Sequence, residues 1–297
     1  MKKVFVLALA AMMALVSCHK EPKNNDDPKD TTPEVKTCAE YLVLHMPLEA
    51  ADNAVKVGEG FTFANKVGSA DFGTGYIGNG YVNTAGNNSE AYLKFNLAAS
   101  NALNKLTDVT ITLWAKNIEE YQKGAFFSVN GKHFDTQDWP SLVVMFDNKN
   151  TVKDEEGNDT GVKTQQINGR MMFKNAEGNE TNMWLDTWDP AFAKYNAWFQ
   201  LAFTYEAATG AWSLYVDGVK VKDAEYGDKM AWGGCVPADA NAFYLGGWAS
   251  LIEKYQGGQD WMSYFAGSID ELRIYNKVLT EAEVQALRKE EAAIALL

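Results

Sequence analysis

Short apolar runs, many of them alternating with polar residues, recur along most of this chain at intervals of ten to twenty residues. Alternation with a period of two places successive side chains on opposite faces of a strand. Gly, Asn and Asp between the runs predict turns. This spacing predicts an all-β fold, a sandwich or jelly roll, with strands near 41–46, 75–82, 91–97, 108–117, 124–131, 141–148, 169–175, 181–188, 198–206, 212–221, 242–249 and 265–276.

The decapeptide WSLYVDGVKV, residues 212–221, carries the clearest turn signal in the chain. Asp-Gly between two alternating runs is typical of a two-residue hairpin loop. The predicted register pairs Val216 with Val219 and Leu214 with Val221. One face is then apolar and buried (Trp212, Leu214, Val216, Val219, Val221), and the other faces water (Ser213, Tyr215, Lys220, Lys222).

One segment near the end of the chain has the signals of a helix. Thr280 followed three residues later by Glu283 forms a capping box, and Val284 and Leu287 continue at helical spacing. The pattern predicts a C-terminal helix from about residue 281.

The N-terminus reads as a secretion signal, outside the fold. Lys2 and Lys3 precede an apolar stretch, residues 4–16, that is too short to span a bilayer stably. The tetrapeptide LVSC ending at Cys18 resembles the bacterial lipobox, in which the chain is cut before Cys and diacylglycerol joins its sulfur. We expect residues 1–17 to be removed, leaving a lipoprotein anchored at the outer membrane or cell surface through Cys18.

The segment after the lipobox predicts a tether. Residues 18–37 are polar and contain three prolines, so they have little to bury. The folded domain then covers residues 38–297. With 297 residues, 46% of them hydrophobic, the chain has enough apolar surface for one large core or at most two small ones.

The charge narrows the class of partner. The formal net charge is −12, and removing residues 1–17 takes away two lysines and no acid, giving −14. Nucleic-acid binding depends on Lys and Arg contacts to phosphate, so we expect no nucleic-acid partner. The expected contact with the membrane is the lipid anchor.

Two cysteines remain after Cys18. Cys38 opens the domain and Cys235 lies in a Gly-rich loop. In an oxidising compartment the two would be able to pair, but sequence does not show whether they come close enough. A disulfide and two separate thiols both stay open.

Several stretches together resemble one family. NAWFQLAFTYEAATGAWSLYVDGVKV, FYLGGW and FAGSIDELRIYNKVLTEAEVQAL resemble the closing half of LamG-like, concanavalin A-like jelly-roll domains. LVLHMPLEAADN, GYIGNGYVN and LTDVTITLWAKN resemble its opening half. The likeness spans about residues 41–288 and implies two curved antiparallel sheets with long loops. It does not imply one function, because this superfold hosts lectins, glycosidases, lyases and protein-binding modules.

Two departures from the family stand out. Gln200 in WFQL occupies a place where the family often has His, and residues 118–168 are longer than a minimal module.

The acidic residues do not form the pattern of a glycosidase of this fold. Its acids alternate along one strand, because nucleophile and acid must share a face about 5–5.5 Å apart. Asp223, Glu225 and Asp228 have the wrong order and suit a solvated edge. Asp270 and Glu271 are adjacent and point to opposite faces, while an ion pair of Glu271 with Arg273 is the simpler interpretation. The enzyme question stays open, with a non-enzyme favoured.

The strongest positive signal for a ligand is TNMWLDTW, residues 181–188. As a strand it places Met183 and Leu185 toward the core and four other side chains outward: Asn182, Trp184, Asp186 and Trp188. Indole faces stack on sugars, and amide and carboxylate groups hydrogen-bond to hydroxyls. Packing of these tryptophans under a loop or inside the sandwich is the alternative.

Two loops offer walls for a groove beside that strand. FDTQDWPSL contributes Trp139, and EKYQGGQDWMSY contributes Trp261. Trp198 and Trp212, by contrast, lie in strands with strong core patterns and are assigned to structure.

The sequence gives weaker support to a calcium site and to a functional histidine. The loop 154–165 departs from the calcium-binding loop at Asp159 and Gln165, so a hydrated acidic loop is favoured, and a calcium site from separate loops stays open. His45 falls within the first strand, where a satisfied imidazole is expected. His133 lies on a loop near polar and aromatic groups.

The chain is thus interpreted as a lipoprotein that binds a glycan or polysaccharide, with a glycan-cleaving enzyme or a protein-binding adhesin as alternatives.

Overall fold

Two antiparallel sheets form the body of the fold. The structure is a computed structural model and describes residues 33–175, 177–186, 195–227, 229–255 and 260–297. Its strands are β1 (Leu42–Met46), β2 (Val57–Gly58), β3 (Phe61–Gly68), β4 (Asp71–Thr74), β5 (Asn79–Asn83), β6 (Ala91–Leu97), β7 (Val109–Asn117), β8 (Ala125–Val129), β9 (Leu142–Lys153), β10 (Asp159–Lys174), β11 (Glu180–Asp186), β12 (Trp198–Glu206), β13 (Ala211–Val216), β14 (Val219–Glu225), β15 (Ala242–Leu245) and β16 (Gly267–Tyr275).

The strand order is that of a jelly-roll sandwich. The nine-stranded sheet runs β14-β13-β12-β7-β16-β1-β2, with β5 pairing β16 and β4 pairing β5. The seven-stranded sheet runs β11-β10-β9-β8-β15-β6-β3. The predicted all-β class is therefore confirmed, and neighbours distant in sequence, such as β7 and β16, lie side by side.

The main core lies between the two sheets. Alternate residues of each strand enter it, as a pleated strand requires. Phe126, Phe146, Phe199 and Ile269 are all fully buried there. On β9 the intervening residues Val143 and Met145 belong to a different cluster on the opposite face, so the seven-stranded sheet also carries packing on its outer side.

The helix α2 (Glu281–Ile294) begins where the sequence predicts. Thr280 caps it, and Glu283 completes the capping box. Val284 and Leu287 bury against Tyr215 and Tyr275 on the outer face of the nine-stranded sheet. A second, four-residue helix, α1 (Ala249–Ile252), follows β15. Within the described ranges no helix combines the length and apolarity needed to cross a membrane.

The hairpin of β13 and β14 forms with one correction. Asp217 and Gly218 make the turn, and Val216 pairs with Val219 as predicted. A bulge after Leu214 then pairs it with Lys222 instead of Val221. Val219 is 59% exposed, whereas Tyr215 is buried under α2. The predicted burial is wrong at these two residues, because Val219 lies beside the turn on the edge strand β14 and α2 covers Tyr215.

Candidate functional site

Strand β11 is the edge of the seven-stranded sheet and presents Trp184 outward. Met183 and Leu185 are buried in the main core, whereas Asn182 is exposed and Trp184 half-buried. The predicted alternation is confirmed over these four residues.

The end of the predicted strand lies outside the described residues. Asp186 ends β11, but its side chain lies outside the described residues. Trp188 is also outside them.

Two loops bring further indoles against Trp184. The ring centroid of Trp139 lies 5.4 Å from that of Trp184, 5.4 Å from that of Trp248 and 5.1 Å from that of Trp261. The Trp248 and Trp261 centroids are 5.5 Å apart, with perpendicular rings. We call these four residues the tryptophan patch. Three of them are predicted site residues; Trp248 was not singled out as one.

The four residues of the tryptophan patch differ in how deeply they are buried. Trp248 is fully buried and packs on Ala125, Val143 and Met145, while Trp139, Trp184 and Trp261 are half-buried. The patch is therefore a small outer core with an accessible rim. Both interpretations of the tryptophans, loop packing and a surface that a ligand can reach, describe part of it.

Buried hydrogen bonds hold the Trp139 loop and the Trp248 ring in place. Gln137 donates to the carbonyl of Trp139 at 2.6 Å and to Ser141 Oγ at 3.0 Å. The indole Nε1 of Trp248 donates to the carbonyl of Lys123 at 2.6 Å. Since these bonds satisfy groups that would otherwise be buried without partners, they fix the positions of both rings.

An arginine that the sequence interpretation missed stacks between two rings of the patch. The guanidinium carbon of Arg170 lies 3.9 Å from the Trp139 ring centroid and 4.4 Å from that of Trp184. Its Nε donates to Asn182 Oδ1 at 3.0 Å. Arg170 and Trp184 are direct cross-strand neighbours on β10 and β11, a pairing that requires the register of the sheet. The available signal was an arginine inside the apolar run GRMMFK.

Charged and amide groups surround the other side of the patch. Lys123 Nζ lies 4.6 Å from the Trp261 ring centroid and 3.3 Å from Asp147 Oδ1. Asn168 donates to Asp147 Oδ2 at 3.2 Å. Hydrogen-bonding groups therefore border the indoles, as a hydroxyl-rich ligand requires.

The cysteines considered for a disulfide lie outside the tryptophan patch. Cys38 and Cys235 are free thiols, so the disulfide considered from sequence does not form. Cys38 packs beside α2, whereas Cys235 is in the main core, and the tertiary fold separates the two. Burial raises the pKa of the Cys235 thiol above its usual range, which disfavours a reactive thiolate. Cys18 lies outside the described residues.

The candidate acids and histidines have structural partners. Glu271 contacts Arg273 and accepts from His45 at 2.8 Å, so the expected ion pair and satisfied imidazole are present. Asp270 accepts from the backbone N–H groups of residues 76 and 77. The expected opposite orientation of Asp270 and Glu271 is wrong, because a bulge between Asp270 and Arg273, with Glu271 at φ 50°, places both acids on the face away from the main core. His133 Nε2 lies 3.3 Å from the carbonyl of Cys235.

The described acids of the two other candidate segments, 223–228 and 154–165, include residues of an exposed edge and of a hairpin turn. Asp223 and Glu225 are exposed on the edge strand β14, while Asp228 is outside the described residues. Asp154 closes the turn of the β9–β10 hairpin by accepting from the Asn158 backbone N–H at 2.7 Å. In the part of the chain that is described, no group of three or more His, Cys, Asp or Glu residues is arranged to hold a metal.

Comparison with known sequences identifies the family. The profile of the Concanavalin A-like lectin/glucanases superfamily matches residues 78–285, well over half of the chain. The chain belongs to this superfamily. The match begins one residue before β5 and ends inside α2, so it includes Trp139, Arg170, Trp184 and Trp261. A search of curated protein sequences found no match.

Solved structures of the superfamily fold align with this chain at low identity. The receptor-binding domain of botulinum neurotoxin mosaic serotype C/D is 11% identical, with a TM-score of 0.50 over 84% of this chain and 51% of that chain. Domain 4 of AbnA, a GH43 extracellular arabinanase from Geobacillus stearothermophilus solved with arabinotriose, is 20% identical, with a TM-score of 0.46 over 83% and 97%. The CBM40 of Ruminococcus gnavus IT-sialidase, bound to α2,3-sialyllactose, is 16% identical, with a TM-score of 0.42 over 62% and 83%. At these identities the likeness is one of fold.

Proposed function

We propose that this protein is a cell-envelope lipoprotein whose jelly-roll domain binds a glycan at the tryptophan patch. The observation that carries the proposal is the convergence of three half-buried indoles, from one strand and two loops, over a fully buried fourth. Exposed aromatic side chains that a fold holds rigidly are typical of a binding surface more than of packing alone.

The chemistry around the rings suits a sugar. The C–H faces of a pyranose are apolar and pack on an indole, while its hydroxyls need directional partners. Asn182 is exposed next to Trp184 on β11, and Lys123 and Asp147 lie beside Trp261. These groups lie near enough to the indoles to hydrogen-bond to a sugar that stacks on a ring.

The anchor is the second part of the proposal and rests on the sequence. The basic start, the short apolar stretch and Cys18 occur in the order that lipidation requires. The polar segment 18–37 would then link the lipid to the jelly roll. A surface or outer-membrane position would give the tryptophan patch access to extracellular or cell-wall glycans.

A glycan array and a matched set of tryptophan variants test the binding function. We expect full-length protein in detergent to bind a defined subset of glycans, and Trp184→Ala to weaken that binding at least tenfold. Because Trp184 is only half-buried, the variant should lose about 1–2 kcal/mol of unfolding free energy, less than the roughly 3–5 kcal/mol typical of a buried tryptophan.

Two control variants separate binding from folding. Trp198→Ala removes another half-buried indole, on the opposite sheet, and should leave glycan binding unchanged. Trp248→Ala removes the fully buried ring and should cost about 3–5 kcal/mol of stability. Wild-type affinity in Trp184→Ala would contradict the proposed site. Release of reducing ends from a bound glycan would instead favour an enzyme.

A further inference from the structure

Among the described residues, Arg170 is a buried cation without a carboxylate hydrogen-bond partner, and this distinguishes it from the buried Arg273. Arg273 is 4% exposed and contacts both Glu271 and Glu291. Arg170 is 9% exposed, and the hydrogen bond that its side chain makes to a described residue goes to the neutral amide of Asn182. Buried charges in proteins are ordinarily paired, so Arg170 departs from the rule that Arg273 follows.

The guanidinium of Arg170 also carries an unused donor. Its Nη1 is enclosed and has no hydrogen-bond acceptor in the part of the chain that the structure describes. Burial lowers the pKa of Arg170 to about 10, although the nearby Asp138 and Asp147 act to raise it. The group remains charged at neutral pH, and its environment compensates that charge only in part.

Arg170, with its donor that lacks an acceptor and its partly compensated charge, lies within the tryptophan patch. The guanidinium lies between Trp139 and Trp184, the two rings that border the accessible rim with Asn182. A planar guanidinium presents its donors as a fork that matches a carboxylate in two parallel hydrogen bonds. A ligand carboxylate would supply the acceptor and the negative charge that Arg170 lacks.

We propose that the glycan bound at the tryptophan patch carries a carboxylate, as uronic acids do, and that Arg170 is the residue that selects it. This inference rests on the proposed function. Because the guanidinium stacks on both Trp139 and Trp184, we expect a carboxylate that reaches it to displace one of these rings, so binding should change the tryptophan fluorescence. Neutral sugars would still stack on the accessible parts of the indole rings, but the guanidinium would then have no carboxylate partner.

The test compares acidic glycans with their neutral counterparts on the full-length protein. Array ligands should be enriched in carboxylated glycans. Polygalacturonate, alginate and hyaluronan are then titrated beside their carbodiimide-reduced forms, in which each carboxylate becomes a neutral hydroxymethyl group. We expect at least tenfold weaker binding, and a smaller fluorescence change, for the reduced form of whichever polymer binds.

Variants at Arg170 separate recognition from ring positioning. Arg170→Met should weaken binding of the acidic glycan at least tenfold and leave binding of its reduced form within twofold. Arg170→Lys, which keeps the charge but loses the fork, should fall between wild type and Arg170→Met. The control Lys94→Met removes a cation from β6, four strands away on the same sheet, and should change neither affinity.

The outcomes distinguish this inference from the function on which it rests. Tight binding of neutral glycans alone, or an equal loss of acidic and neutral binding in Arg170→Met, would overturn the carboxylate assignment and leave glycan binding intact. An equal loss accompanied by a lower melting temperature would identify Arg170 as a support for the rings. Failure to bind any glycan on the array would overturn both proposals.

Discussion

Glu291 is a fully buried carboxylate on α2 that links the helix to the nine-stranded sheet. It accepts hydrogen bonds from Trp114 Nε1 at 2.7 Å, Gln200 Nε2 at 2.7 Å and Arg273 Nε at 2.9 Å. Burial raises the pKa of Glu291 to about 7, and neighbouring Glu271 acts in the same direction, against Arg273. The native state therefore holds a proton on Glu291 that the unfolded chain releases near 4.5.

The raised pKa of Glu291 predicts a pH-dependent stability. Between pH 4.5 and 7 the folded state binds more protons at this site than the unfolded state, so the contribution is full below 4.5 and is lost as the pH rises through 7. A shift of this size corresponds to about 3 kcal/mol. Denaturant unfolding of wild type and Glu291→Gln across this range should show the difference between them falling by that amount.

The comparison with Glu291→Gln removes the contribution of other titrating groups. His45 has a lowered pKa because it is buried, so its own effect raises stability with pH, in both proteins. Parallel pH profiles for wild type and variant would contradict the assignment to Glu291.

The residue-scale signals in the sequence succeed where partners are close in the chain. Glu271 and Arg273, two positions apart, were predicted to pair and do so. Glu291 completes the same network from a helix 18 residues beyond Arg273, and nothing local indicates that contact. Arg170 was missed for the same reason, because its neighbours Trp139 and Trp184 meet it only in the folded sheet.

At the scale of elements, the β13–β14 hairpin is specified by its two turn residues. Asp217 has φ 52° and Gly218 has φ 78°, both in the left-handed region that a type I′ turn requires. A Cβ on Gly218 would lie 3.3 Å from Gln285 Cγ and 3.4 Å from Arg288 Cδ on α2. The turn therefore packs tightly against the C-terminal helix.

We expect Gly218→Ala to destabilise the protein by about 1–2 kcal/mol. The main reason is the cost of a left-handed conformation for a residue with Cβ. Chemical denaturation measures it, with Gly227→Ala as the control, since Gly227 has no atom within 4 Å of an added Cβ and no positive φ in that region. Equal stability of the two variants would show that this turn does not constrain the fold.

The alternation of apolar and polar residues predicted the buried and exposed faces of β11 correctly, but it was wrong for part of the β13–β14 hairpin. Met183 and Leu185 enter the core as expected. A bulge in β14, opposite Leu214, shifts the pairing of the two strands. In β13 the helix α2 covers Tyr215 on the outer face of the sheet. A period of two describes a regular strand with one buried face, and it fails where a strand bulges or where a second layer covers the outer face.

At the scale of the whole molecule, the start of the folded domain is tied to its end. The backbone N–H groups of Lys36 and Thr37 donate to the carboxylate of Glu290 on α2, at 2.8 and 2.9 Å. The proposed tether would therefore leave the jelly roll beside α2, on the outer side of the nine-stranded sheet. The tryptophan patch lies on the outer side of the other sheet.

The three cysteines provide a direct test of the proposed anchor. We expect the protein made in a bacterium with lipoprotein processing to incorporate labelled palmitate, and Cys18→Ala to abolish the label. Cys38→Ala and Cys235→Ala should retain it, because lipidation requires the cysteine of the lipobox. More than one acyl chain is needed for stable membrane attachment. A label that persists in Cys18→Ala would contradict the lipoprotein proposal.

The sequence by itself determined the strand-rich class, the hairpin turn and the capped helix, because these depend on neighbours within a few residues. Motifs spread over residues 41–288 pointed to the family. Alternation along its strand marked Trp184 as a site candidate, and polar loops marked Trp139 and Trp261. Only the tertiary structure placed these indoles in one patch, put Trp248 beneath them and set Arg170 between two rings. Contacts between loops and strands far apart in the chain depend on sheet order and register, which no local pattern encodes.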